Sequence, residues 1–383
     1  MTMRTGTILI GVVFWAAVCL GQSWTVTTAD FQRLEGDLKA VDDAGVRVQV
    51  GGAEQALPWA QVVSADHAGV KLVSGGEPFV VITRDGQRIA GAPVRLADEK
   101  LSWRNRMLGV LELPIEDVSG IVQAAAGTLP AGGGQEDLVV LANGDQLRGI
   151  IESDPDGGMA VQQQGTSTKV RWDNVKAVVL AKVGATTRRD ETSGGLRIRL
   201  ADGSVCQAQK LHRDGEQLHV QRDAGELKLP LGAIVSVENS GGKVRFLAGM
   251  EPKESRYVPY VQISDQQPAA LKVLDEVTVD GRAYRGVIQI RPRTTLTYVS
   301  GVDGKVHLRY ACARPGEMTD MDVKVLVNAK AAYEKQGVSS ASVSDAVEAP
   351  VKVGDTVSIE VDYGKNFDVQ DWLLLLEAAF VAR

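Results

Sequence analysis

Near its C-terminus the chain reads Asp368-Val-Gln-Asp371-Trp372, immediately ahead of the apolar run LLLLEAAFV. An indole beside two carboxylates is a set that can hold a polyol. The ring face offers apolar area to C–H groups, and the carboxylate oxygens accept hydrogen bonds from hydroxyls. Arg291 and Arg293 add guanidinium groups able to reach a polyol or a carboxylate bidentately. Each residue type also has a plainer use. A Trp leading into an apolar run is more often core, Asp368 and Asp371 can cap a turn, and arginines near strands are often simply solvated. Arg291, Arg293, Asp368, Asp371 and Trp372 are the candidate ligand set, with both uses open for each.

Residues for catalysis are sparse. His67, His212, His219 and His307 are scattered, no HExxH or paired-cysteine spacing occurs, and no Gly-x-Ser-x-Gly elbow is present. Glu317, Asp320 and Asp322 form the one acidic cluster. It could bind Ca²⁺ through oxygen ligands, although a solvated loop is the commoner use of such a run. The GGGQ at Gly132 lacks the Lys-Ser/Thr of a phosphate loop. No catalytic residue, cofactor or metal ligand is expected, because a hydrolase needs positioned carboxylates or a nucleophile and none is spaced for it.

The elements that would carry these residues are strands. The stretch LPLGAIVSV from Leu229 has echoes in LPWAQVVSA from Leu57, LPIEDVSGIV from Leu113 and VRWDNVKAVV from Val170. Upstream of the tails lie matching heads: TRDGQRIAG from Thr83, LANGDQLRG from Leu141, LADGSVCQA from Leu200 and a blurred DFQRLEGDL from Asp30. Pro58, Pro114, Arg171 and Pro230 are spaced by 56, 57 and 59 residues, which indicates one small folding unit per period. Alternation such as Val46, Val48 and Val50, with Asp-Gly and Asn-Gly pairs for tight turns, predicts four or five short antiparallel strands per unit. A sheet that small leaves sticky edges, so each unit is expected to close into a barrel. The short connection between the first two copies would let them pack as a pair. The pattern resembles SH3-like and Sm-like barrels.

The units are placed at 22–75, 76–126, 136–183 and 195–240, with linkers at 127–135 and 184–194. Residues 1–21 resemble a secretory signal peptide, with Arg4 ahead of an apolar run from Ile8 to Leu20. That run is shorter than the roughly 20 residues that span a bilayer, so no membrane span is expected after cleavage. The protein is expected to be periplasmic or secreted. Cys206 and Cys312 would remain, in different domains, as free buried thiols. With 42 Lys and Arg against 48 Asp and Glu, a net charge of −6 offers no basic excess to a phosphate backbone, so nucleic acid is excluded as a partner.

From 243 to 383 the repeat stops and alternation such as Val323, Val325, Val327 and Val357, Ile359, Val361 suits two sheets packed face to face. The opening FLAGMEP, the run through Asp280, Gly281, Tyr284 and Gly286, the strand RTTLTY from Arg293 and the late Asp368, Asp371 and Trp372 together resemble the NPCBM module. That module is the putative carbohydrate-binding domain named for glycoside hydrolase family 98 and common in exported planctomycete proteins. The resemblance implies a galactose-binding-like jelly roll and a sugar site. Arg291-Pro292 stands where the family usually has His-Ser, and Cys312 to Pro315 replace its usual carboxylates, so weak binding is implied. The expected whole is an all-β chain, four SH3-like barrel repeats followed by a β-sandwich. Its expected function is that of an exported, non-catalytic, glycan-binding protein. The alternative is a structural or scaffolding protein whose repeats contact an extracytoplasmic protein partner and whose sugar site is degenerate.

Overall fold

The computed structural model describes residues 23–73, 76–126, 129–130, 134–154, 158–181, 195–222, 225–259, 270–316, 319–365 and 371–383. The leader, the 184–194 linker, Glu317 and Asp368 lie outside them. Regular structure among the described residues is β-strand and single-turn 3-10 helix, so the chain is all-β.

Residues 23–67 form five strands, Ser23–Thr28, Arg33–Asp42, Gly45–Val50, Ala53–Pro58 and Val62–His67, with a 3-10 turn Trp59–Gln61 before the last. The first strand lies between the second and the fifth, and the second continues to the third and fourth, all antiparallel. The same order of elements runs through 79–123 and 137–179, and through 196–239 with the second strand in two pieces. Pro58, Pro114, Arg171 and Pro230 each sit directly before the 3-10 turn, with φ of −59°, −56°, −86° and −65°. A pyrrolidine ring presets φ near −65°. Arg171, which has no ring, relaxes away from that value.

The heads of the repeat explain how the long second strand crosses its unit. Gly36 lies within the blurred first head, and Gly91 and Gly149 end theirs. A Cβ at each would lie 2.1, 2.4 and 2.1 Å from a carbonyl oxygen of the third strand, on Gln49, Arg104 and Gln162 respectively. Only glycine permits that approach. The fourth head ends in Ala208, and there the second strand is split into Val205–Ala208 and Lys210–Asp214.

The units do not close alone, and the first two do not pair. The closing strand Val62–His67 pairs antiparallel with Ile234–Asn239 of the last unit, setting Val237 opposite Ala65. Val118–Gln123 pairs in the same way with Val175–Val179, setting Ile121 opposite Val178. One core therefore unites the first and fourth units and a second core unites the middle two. Joining two exposed edges satisfies the backbone groups of both at once, which explains why solitary closure is unnecessary. A buried polar network ties the second unit to the fourth. Asn105 Nδ2 donates to Asp202 at 2.6 Å and to the Ala90 carbonyl at 2.7 Å, and Ala90 N–H donates to Ser204 Oγ at 3.0 Å.

The C-terminal domain is a jelly-roll-type sandwich of two antiparallel sheets. One is ordered Leu271–Val279, Arg282–Ile290, Leu373–Ala382, Gly304–Cys312, Val347–Val351, and the other Glu254–Tyr257, Thr294–Val299, Thr356–Tyr363, Met321–Val327, Lys330–Val338. Leu373 and Leu375 face the inter-sheet core, while Leu374 and Leu376 pack in a second cluster with Tyr284 and Val287. A central strand buried on both faces explains why LLLL is continuous rather than alternating.

Candidate functional site

Register puts the candidate residues at one end of the sandwich. Leu373 pairs with both Ile290 and Cys312, Thr294 pairs with Val361, and Met321 pairs with Tyr363. The turn 291–293, residues 313–316 and 319–320, and Asp371 and Trp372 just before Leu373 therefore converge there. Backbone bonds hold them in place. Ala313 N–H donates to the Trp372 carbonyl at 2.8 Å, Arg291 N–H to Ala270 at 3.1 Å, and Val258 N–H to Arg293 at 3.1 Å.

Two arginines of one turn each sit over an aromatic ring. The Arg291 guanidinium lies 4.4 Å from the centroid of Trp372, and that of Arg293 lies 5.9 Å from the centroid of Tyr363. Arg293 takes a φ of 59°, which lets the tight turn present its exposed side chain outward. Trp372 is half-buried, so it is neither fully core nor a bare platform, and the arginine covers part of it. A guanidinium held over a ring face gains electrostatically from the ring quadrupole and keeps its N–H donors in a fixed plane.

Asp371 departs from the expected ligand-facing place: it is 2% exposed and gives solvent no open carboxylate face. It neighbours Cys312, whose thiol is pushed up chiefly by burial and further by the Asp371 charge. The sequence next to an apolar core strand explains this inward setting. The acidic cluster is also structural where it is described. Asp320 accepts Lys365 N–H on its carboxylate at 2.8 Å and Gly364 N–H on its carbonyl at 2.6 Å, while Asp322 accepts Gly337 N–H at 3.1 Å. A Cβ on Gly364 would lie 2.3 Å from the Asp320 carboxyl carbon, so the two segments are clamped closely.

Sequence reasoning missed Tyr363 and Thr294. Thr294 is 1% exposed and its hydroxyl has no hydrogen-bond partner among the described residues, as is true of Arg291 Nε. Their strand-end positions were the only available signal. Two clefts, of about 830 and 1550 Å³, lie where the sandwich meets the first repeat unit, and neither includes Arg291 or Trp372.

No family model and no curated protein matches the sequence. Among solved structures, the chain is similar to the CBM51 module of Clostridium perfringens GH95 in complex with methyl-galactose, at 10% identity and a TM-score of 0.30 over 36% of this chain and 99% of that one. It is similar to the CBM51-2 and INT domains of Clostridium perfringens ZmpB in complex with GlcNAc, at 11% identity and a TM-score of 0.31 over 60% of this chain and 45% of that one. It is similar also to the tandem CBM51 modules of the family 98 glycoside hydrolase from Streptococcus pneumoniae SP3-BS71, at 10% identity and a TM-score of 0.28 over 64% of this chain and 88% of that one. All three carry carbohydrate-binding modules of one type.

The junction between sandwich and repeats is charged, and its ion pairs line the larger cleft. Arg285 reaches Asp66 of the first unit at 2.7 Å, Glu238 of the fourth at 2.9 Å and Glu276 of its own domain at 3.1 Å. Glu377, at a φ of 53° where the register of the last strand shifts, turns toward Arg33 at 3.5 Å and Arg309 at 3.3 Å. The bulge redirects this carboxylate across the junction.

Proposed function

We propose that the protein is an exported, non-catalytic carbohydrate-binding protein whose ligand-facing surface is the sandwich end bearing Arg291, Arg293, Tyr363 and Trp372. The observation that carries this reading is the pair of guanidinium groups from one turn, each seated over a ring supplied by the 363–372 stretch. Such a surface offers donors to hydroxyl oxygens beside ring edges that accept C–H groups. With Asp371 turned inward, that carboxylate is not offered to a sugar, which suits weak binding. A Kd of about 0.1 to 1 mM corresponds to only about 4 to 5.5 kcal/mol, which a few hydrogen bonds and one apolar edge supply. The cation-led apolar leader supports export, and the absence of catalytic spacing in the sequence supports a binding role.

Titration of the full chain with methyl-galactose, GlcNAc and plant or algal oligosaccharides, followed by calorimetry or saturation-transfer NMR, tests the reading. Binding at millimolar sugar that is lost in Arg291→Ala and Arg293→Ala but kept in Asp371→Asn supports it. No binding to any glycan leaves the scaffold reading. That reading draws on the two edge-to-edge strand pairings, which weld the repeats into one body on which the sandwich is mounted.

A further inference from the structure

The Lys210–Asp214 and Gln217–Arg222 strands of the fourth unit bring together two histidines that the sequence leaves seven residues apart. His212 and His219 face each other in register, with ring centroids 4.7 Å apart and planes inclined by 26°. His219 Nδ1 lies 2.7 Å from Glu226 Oε1 on the third strand of the same small sheet. An ionised carboxylate only accepts hydrogen bonds, so it fixes the proton on Nδ1 and leaves the lone pair on Nε2. A carboxylate behind a histidine in this manner is the arrangement that orients and strengthens imidazole as a metal ligand.

We propose that the His212–His219 pair binds a divalent transition-metal ion of the Cu²⁺, Ni²⁺ or Zn²⁺ class, with Glu226 as the orienting partner of His219. Directly opposed cross-strand residues have Cβ atoms about 4.5–5.5 Å apart, a separation from which two imidazoles converge on one ion at about 2.0–2.1 Å per bond. His212 is exposed and stacked on its partner, so binding requires its ring to swing out of the stack toward the Nε2 side of His219, which the contact with Glu226 holds. Among the described residues no three His, Cys, Asp or Glu side chains converge on one point, and the proposed site takes two imidazoles with water in the remaining positions. The surrounding charges balance. Asp214 and Glu226 share the face with Lys210 and Lys228: Lys210 and Glu226 flank Gln221, Asp214 pairs with Gln217, and Lys228 lies directly opposite His219. Imidazole donors with water select late first-row divalent ions and rank Cu²⁺ above Ni²⁺ and Zn²⁺.

Calorimetric titration of the full chain with CuSO₄ and ZnCl₂ at pH 7.5 reads the site, and Cu²⁺ electron paramagnetic resonance counts the bound nitrogens. One ion per chain with two nitrogen couplings, lost in His212→Gln and in His219→Gln, is the expected result. Glu226→Gln should weaken binding about 10-fold or more without abolishing it, the usual effect of losing an orienting partner. His212 and Glu226 are exposed, so far-UV circular dichroism should be unchanged in their variants, and the same spectrum checks the fold of His219→Gln, whose side chain is 13% exposed. Ion binding that is absent in the parent, or equal in parent and His212→Gln, overturns the proposal. Equal binding in the parent and Glu226→Gln overturns the role given to the carboxylate.

Discussion

The ring of Phe31 stacks on the imidazole of His307, centroids 4.1 Å apart and planes 12° from parallel, joining the first repeat to the sandwich. Phe31 holds a φ of 58° to do so. It also meets Phe246 edge-on and packs against Val244, Ala379 and Val381. Phe31→Ala should cost about 1 to 2 kcal/mol, less than the ~3–5 of a fully buried Phe, because the ring is only half-buried. Scanning calorimetry should show one transition in the parent separating into two in the variant. A single unshifted transition would show that the stack does not couple the domains.

Arg285 bridges three carboxylates drawn from both sides of the same junction. Arg285→Met should leave Asp66, Glu238 and Glu276 facing one another. We expect a loss of about 2 to 3 kcal/mol in urea unfolding, below the ~3–5 of a fully buried pair because these carboxylates keep solvent contact. The double variant Arg285→Met with Glu238→Gln should recover part of it.

Replacing Gly149 by alanine should disturb its unit, since the new methyl meets the Gln162 carbonyl at 2.1 Å. The expected cost is about 1 to 3 kcal/mol, as for other overpacked sites. Ala208→Gly in the fourth unit relieves no such contact and should cost about 0.5–1 kcal/mol, as glycine does within a strand.

Burial pushes the Cys206 thiol up to about 12, and Cys312 is also raised by burial. Both are free and buried. At pH 8 neither is expected to react with Ellman's reagent in the native protein, whereas guanidinium should release both at once. Denatured exported protein should titrate two thiols if Cys19 leaves with the leader and three if it stays. Rapid labelling of the native fold would contradict the packing around Cys206.

Glu348 is held below the usual carboxylate range, first by the hydrogen bond from Lys305 at 2.7 Å and then by His307. Its folded pKa is depressed, so its contribution is present above the unfolded value of about 4.3 and is lost as pH falls through the folded one. The group is partly exposed and its share is small. Melting temperature should decline below about pH 4, and Glu348→Gln should flatten that limb by lowering the melting temperature slightly above about pH 5 while leaving it nearly unchanged at the acid end.

Much of the local architecture was legible in the residues. The Asp-Gly and Asn-Gly turns, the alternating valines and the residues Pro58, Pro114, Arg171 and Pro230 act through backbone torsion and side-chain direction, which are properties of a few neighbouring residues. The same holds for the sandwich strands. The candidate site was legible only in part. Arg291 and Trp372 are 81 positions apart and meet because Ile290 and Leu373 share a register. Asp371 sits beside Trp372 in sequence, yet it points inward because the strand that follows is buried on both faces.

The sequence by itself determined the strand content, the recurring turn and the place where the repeat gives way to a sandwich, because each rests on short-range sterics and on periodic burial. Only the tertiary structure decided which closing strands join, first with fourth and second with third. Those edges are alike in composition and bond through backbone N–H and C=O groups that every residue carries, so no local signal separates one partner from another. The choice falls to whichever pairing buries Val237 against Ala65 and Ile121 against Val178 in two continuous cores.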